Sequence, residues 1–350
     1  MPLESGNTIR KWLPFTLVGL LGVIFVVSIS IGSVSVRWLD YYQILFNTEP
    51  TQSNHSLKTI LFEIRWPRAT LAAIVGFALG ITGACLQGLF RNPLADPSLI
   101  GVSAGASLGA GVAIVFSGLG LIGAAHLPLL QIAFAFIFAL LTVALIVAIA
   151  SINSSHGGGS VVTMLLAGIA ITALVGATTS LLKFYTDENQ LRLISLWQMG
   201  SLQGHSWRNV VLALLFCGGS SVYLLCFSRA LNALLLGETE AQSLGINVSF
   251  LKIQLIVFVA LAVSAAVSLT GVIGFIGLLA PHCVRLLTGP NHKYVLINSA
   301  LLGALLLLAS DVLSRLLVPP LVIPVGIITA VIGAPFFLWL LIRFKGGYRW

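Results

Sequence analysis

The stretch PSLIGVSAGASLGAGVAIVFSGLGLIGAAHLPLLQIAFAFIFALLTVALIVAIASINSSHGGGSVVTMLLAGIAITALVGATTSLL, Pro97 to Leu182, contains no Lys, Arg, Asp or Glu. A helix needs about 20 predominantly apolar residues to cross the hydrocarbon of a bilayer. This run alone therefore holds three crossings and their turns. The rest of the chain agrees. Of 350 residues, 8% are charged, against roughly 25% in soluble domains, and 58% are hydrophobic. So little charge cannot cover a water-soluble fold. A soluble enzyme, a nucleic-acid binder and a disordered protein are all excluded. The net charge of +8 is scattered in ones and twos. That is the flanking charge of membrane spans, not a nucleic-acid patch.

Outward from the charge-free run, apolar segments occupy Leu13–Ile31, Ala69–Phe90, Ser98–Ser117, Leu127–Ala150, Ser160–Leu182, Asn209–Ser228, Ile253–Val284, Tyr294–Val318 and Pro324–Ile342. Ile253–Val284 is too long for one span, and Gly271, Gly274 and Gly277 break it into a full helix and a short one. The reading is an all-α polytopic membrane protein of ten transmembrane helices, one domain over residues 1–350. Leu13–Ile31 exceeds the usual apolar length of a signal peptide, so it is read as a retained anchor despite the small-residue pattern Ser28-Ile29-Ser30. Arg10 and Lys11 flank one end of the chain, and Arg343, Lys345 and Arg349 the other. The positive-inside rule then puts both termini in the cytoplasm.

Gly76, Gly80, Ala84 and Gly88 recur every four residues, as do Gly101, Gly105 and Gly109. Residues four apart share a helix face, and small ones let backbones approach closely. These glycines are read as helix-packing positions. Gly101-Val102-Ser103-Ala104-Gly105 spells GxSxG, but a nucleophile elbow needs a strand–turn–helix setting. Gly118, Gly120 and Gly123 spell GxGxxG without a βαβ unit and are read as a turn between spans. No GxxxxGK[ST] occurs, so the chain has no phosphate-cradling loop of its own. Cys85, Cys217, Cys226 and Cys283 are small apolar residues in apolar segments. The six histidines lack metal-ligand spacing, so neither metal nor cofactor is expected on this chain.

Three polar places stand out. Arg65-Trp66-Pro67-Arg68 opens the second span on the outer side, with Pro67 in its first turn. Arg315 lies at the same level, and Asp311, four residues earlier, shares its helix face and pairs with it. These arginines either serve that pairing or dock an acidic partner. Asn92-Pro93-Leu94-Ala95-Asp96-Pro97 turns the chain at the inner surface, where Asp96 or Ser98 caps the next helix. Gly157 to Ser160 gives hinge freedom at the same side. The inner segment 229–248 reads as two short helices, Ala230–Leu236 and Glu238–Leu244, broken at Gly237 and ended at Gly245. Leu234, Leu235 and Leu236 would be bare without a partner.

In this order the motifs resemble the permease subunits of type II ABC importers, the iron-siderophore, haem and cobalamin permease family. The matching stretches are RWPRATLAAIVGFALGITGACLQGLFRNPLADPSLIGVSAGASLGA (65–110), MLLAGIAI (164–171), GETEAQSLGINV (237–248), GVIGFIGLLAPHCVRLLTG (271–289) and LLLASDVLSRLLVPPLVIPVGIITAVIGAPFFLWLL (306–341). They span most of the chain from Arg65 onward. The resemblance implies a multi-pass protein of the bacterial inner membrane. It implies a second permease subunit, identical or paralogous, two cytoplasmic ATPase subunits holding ATP and Mg, and a periplasmic substrate-binding protein. By motif, Arg65, Arg68 and Arg315 dock the binding protein. Asn92, Pro93 and Leu94 form part of a cytoplasmic gate, with Ser160 and Val161 near a second one. Glu238, Thr239, Glu240, Ala241, Leu244 and Gly245 couple to the ATPase. The implied substrate is a large iron chelate, a ferric siderophore first, then haem or cobalamin. An ion-coupled secondary transporter is the rival reading, and it needs intramembrane ionisable groups. Only Asp96 and Asp311 offer themselves, both near the surfaces. An intramembrane serine protease built on Ser103 is more distant.

Overall fold

The computed structural model describes residues 2–32, 52–121, 123–152 and 161–343. Among these, every regular element is helical. We number the principal helices α1 (Pro2–Ser30), α2 (Trp66–Leu89), α3 (Val102–Gly118), α4 (Leu127–Ile152), α5 (Val161–Phe184), α6 (Glu188–Gln198), α7 (Trp207–Leu225), α8 (Ser228–Leu236), α9 (Glu238–Ser243), α10 (Val248–Thr270), α11 (Ile276–Thr288), α12 (His292–Leu316) and α13 (Val325–Arg343). Seven helices are long and apolar enough to span a bilayer. Val102–Gly118, Ile276–Thr288 and Val325–Trp339 are shorter apolar helices. The chain is thus a multi-pass membrane protein.

Helices α2, α10 and α12 form the centre: 78%, 67% and 67% of their most apolar stretches are buried, against 17% for α1 and 22% for α5. Glycine makes that centre possible. A methyl group on Gly76 would run into the carbonyl oxygen of Gly303, and one on Gly80 into that of Ser299. Helices α2 and α12 therefore lie backbone against backbone, with dispersion contact in place of the hydrophobic drive that lipid cannot supply. Gly105 and Gly109 do the same for α3 on α4, meeting Thr142, Phe138 and Phe134. Gly101 does not belong to that stripe. It precedes α3 in the left-handed region (φ +75), where a side chain would also strike Ile146 and Thr142.

Four sequence expectations change. Pro67 keeps the first turn of α2, but the chain is already helical before it. The chain enters α2 without a break from helix Gln52–Thr59 through a π-helical turn, Ile60–Arg65. A proline ring clashes with the carbonyl four residues earlier, and the wider turn sits where that clash would fall. Second, Asp96 caps only the 3₁₀ turn Pro97–Ile100, accepting from the Ser98 N–H at 2.8 Å. That turn is sunk into the protein: Gly277 packs against both Pro97 and Gly83, and Gly83 lies about 9 Å before the end of α2 at 1.5 Å per residue. The space this takes explains why α3 is short. Third, the break in Ile253–Val284 runs from Gly271 to Phe275, and Gly277 lies inside α11. Fourth, α6 fills the stretch between two apolar segments to which the sequence reading assigns no element. Asp187 caps it, accepting from the Gln190 N–H at 2.7 Å, and Ile194 is buried.

Candidate functional site

Three regions of the molecule carry polar or open structure. At one end, Asp311 of α12 lies between two guanidinium groups. Arg68 reaches it at 2.8 Å and Arg315 at 2.9 Å, the second four residues along the same helix. The carboxylate is fully buried. Arg315 also donates to the carbonyls of Ser28 (2.8 Å) and Ile31 (2.7 Å) and to the Ser28 hydroxyl (2.7 Å). Arg65 donates to the carbonyls of Ile29 and Ser30 at 2.9 Å each. The last carbonyls of a helix have no intrahelical donor. Here two arginines from elsewhere in the chain supply one, and positive charge at a helix C-terminus is favourable besides. The three sequence-chosen arginines are thus brought together, and each has internal work. Asp311 holds two of them, where the sequence reading gave it one.

Beside this cluster lies a cavity of about 220 Å³ whose mixed lining includes Gln131, Ile132, Trp197, Ser201, His205 and Asn209. His205 Nδ1 meets the Asn209 amide at 2.8 Å, and Nε2 faces the Ser201 carbonyl at 3.4 Å. Burial lowers the His205 pKa from its ordinary value; the Ser201 carbonyl opposes this and the nearby Arg68 charge adds to it.

The break between α10 and α11 borders an open apolar recess of about 690 Å³. Its walls include Met199, Val272, Phe275, Ile327, Ala330 and Val331, with Gln198 as the polar exception. Phe275 is held at φ +68, a left-handed conformation that costs a non-glycine residue about 1–2 kcal/mol. Its ring fills the place that a side chain on Gly333 would need.

At the opposite end, α8 and α9 meet at Gly237 (φ +139), close to the boundaries read from sequence. Their leucines divide. Leu231 and Leu234 are buried against the body, while Leu236 and Leu244 are 69% and 65% exposed. The expectation that Leu234 is bare is therefore corrected: it sits three residues from Leu231, on the face turned to the helices. Ala241 is buried, Thr239 and Glu240 are exposed, and Gly245 (φ +83) ends the segment. Nearby, Arg285 donates to Gln87 and, at 3.4 Å, to the Ala84 carbonyl. Sequence reading singled out none of Lys252, Asn232, Gln87 and Arg285. Each stands alone in an apolar run, and only the fold supplies its partner.

The turn at Asn92 is closed by its own side chain, which accepts from the Leu94 N–H at 2.9 Å, while its carbonyl accepts from the Ala95 N–H at 3.1 Å. Pro93 and Leu94 are half-buried within it. Val161 is the first residue of α5, which packs against the Pro97–Ile100 turn. Ser160 lies outside the described residues. Among the described residues, no three His, Cys, Asp or Glu side chains converge as a metal site. Ser103 lies within α3, on no strand-to-helix elbow.

Known proteins resemble this chain along nearly its whole length. The hemin transport system permease protein HmuU of Yersinia pestis is 40% identical over 331 residues, 94% of this chain and 96% of its own. The cobalamin import system permease protein BtuC of Halobacterium salinarum is 44% identical over 284 residues, 81% of this chain and 73% of its own. A structure solved as an inward-facing conformation of a metal-chelate type ABC transporter superposes with a TM-score of 0.82 at 32% identity. It covers 95% of this chain and all of that one. The FecCD transport family matches residues 20–343. With its wall of helices, its sunken turn and its pair of short helices at one end, this chain belongs to the FecCD transport family, as a permease of the ABC-importer kind.

Proposed function

We propose that the chain is the membrane-spanning subunit of an ATP-driven importer that moves a large iron chelate across the bacterial inner membrane. In this reading all ten apolar helices cross the bilayer, and both termini and α8–α9 face the cytoplasm. A second permease subunit, identical or paralogous, packs against the apolar faces of α5 and α13. Two ATPase subunits seat α8–α9, with Glu238 to Gly245 in their cleft, and bind ATP and Mg. A periplasmic binding protein meets the arginine end. Three guanidinium groups against one carboxylate leave a net positive charge there, which favours an acidic partner even though the arginines are also bonded within the chain. Asn92, Pro93 and Leu94, with Ser160 and Val161, narrow the cytoplasmic side of the path.

The observation that carries this reading is the 690 Å³ apolar recess at the helix break. A path that must release its cargo binds it weakly, and a wall almost free of charge does so for a bulky chelate. A ferric siderophore is the substrate placed first. An iron porphyrin has a specific claim too, since its flat apolar faces suit that lining and a hemin permease is 40% identical.

The test is uptake into proteoliposomes holding the permease, its ATPase and its binding protein. Radio-iron is supplied as ferric siderophore or as haem, with labelled cobalamin as a third cargo. We expect iron uptake that needs ATP and survives a protonophore. Uptake that follows the proton gradient instead, or that takes only cobalamin, would overturn the reading.

A further inference from the structure

The segment α8–α9 is not a loose loop between two spans. Each of its helices is tied by polar side chains to a different long helix. Asn232, in the middle of α8, accepts from the His292 backbone N–H at 2.8 Å. Its Oδ1 lies 3.1 Å from His292 Nδ1, and its amide donates to Asn291 Oδ1 at 3.0 Å. Asn291 also caps α12, accepting from the Lys293 N–H at 3.0 Å. One residue side chain thus holds α8 to the N-terminus of α12.

Glu238, the first residue of α9, is held by Lys252 of α10, whose Nζ donates to both carboxylate oxygens at 2.8 Å. The lysine side chain is 10% exposed and the glutamate 39%. Removing one partner of so buried a pair leaves the other uncompensated. The turn between α9 and α10 is short, and Asn247 caps α10 by accepting from the Phe250 N–H at 3.0 Å.

Only Gly237 separates the two short helices that carry these attachments. On one side of it α8 leads through α12 to Asp311 and the arginine cluster. On the other α9 leads through α10 to the Gly271–Phe275 break and the apolar recess. Gly237 is thus the joint between a segment tied to α12 and a segment tied to α10.

We propose that Lys252 and Asn232 are positioning residues for energy transfer: they clamp α9 to α10 and α8 to α12, so that a push on the short helices becomes relative motion of the two long ones. This rests on the reading above that α8–α9 seats the ATPase. Lys252 is the more informative position, because its removal leaves the glutamate able to face water.

The experiment uses the complete reconstituted transporter and measures substrate moved per ATP hydrolysed for native, K252M and the charge-keeping K252R. Co-purification of the ATPase is checked in each. We expect K252M to keep the ATPase bound and hydrolysing, while transport per ATP falls about fivefold or more, the lower range of ordinary coupling between sites. K252R, which keeps a positive charge against Glu238, should retain most of the native coupling, which loss of packing alone would not explain. K252M transporting per ATP as native does, or K252R no better than K252M, overturns the clamp. Failure of the ATPase to co-purify with the native chain sinks the underlying reading instead, and the two failures are distinguishable.

Discussion

Asp311 sets one fully buried negative charge against two guanidinium groups. Removing one member of a buried pair leaves the others uncompensated, at a cost of about 3–5 kcal/mol. We expect Asp311→Ala to lose about that much stability, read as a lowered midpoint in thermal unfolding in detergent, and to loosen the end of α1 as well. His205 acts with the opposite sign. Its folded pKa lies below the ordinary 6.5 because burial disfavours the charged ring. The unfolded chain then takes up a proton that the folded chain refuses, so the stability this group allows is complete above pH 6.5 and declines as the pH falls below it. In His205→Asn the midpoint should fall less between neutral and mildly acid pH than in the native protein. An unchanged pH slope would show that the buried ring is not the group responsible. At this scale the sequence was legible where spacing alone decides contact: Asp311 and Arg315 are one helical turn apart, and they pair. Arg68 reaches the same carboxylate from 243 positions away, and no pattern in the chain announces that.

Glycines decide which helices are central. Gly80 on α2 and Gly303 on α12 leave no room for a side chain, because what each would strike is backbone. Overpacking a well-filled core costs about 1–3 kcal/mol where side chains can yield, and a backbone yields less. Gly80→Leu should therefore prevent assembly of the folded chain, while Gly219→Leu, whose site is open space, should be accepted. Yields of monodisperse protein from matched expression would separate them. Most element boundaries were readable, because apolar length and glycine breaks follow from the thickness of a membrane and the freedom of a residue without a Cβ. Two features were not. Helix α6 is amphipathic and short, and its Asp187 cap resembles any polar turn. The sunken Pro97 turn looks like a surface loop until the contact with Gly277 shows its depth.

The whole molecule is a set of lipid-embedded rods with short connections among the described residues, and it carries no phosphate-cradling motif. Purified alone in nanodiscs, it should neither hydrolyse ATP nor carry an ion-coupled flux. Either activity would contradict a permease that draws its energy from a partner subunit. Membership of the transport family was legible in the sequence because the motifs at 92–106 and 274–282 are long and irregular. The cargo was not, since an apolar wall discriminates by size and shape more than by named contacts.

The unbroken run from Gln52 through the π turn into α2 has a last consequence. Residues 56–89 alone make a helix of about 51 Å at 1.5 Å per residue, against a hydrocarbon layer of about 30 Å. Tilt or projection beyond the lipid takes up the surplus, and at the arginine end the helix is braced by Trp207, which donates its indole N–H to the Phe62 carbonyl at 2.8 Å. That end of the helix is therefore stiff and preformed, and a contact made on it would cost little ordering entropy.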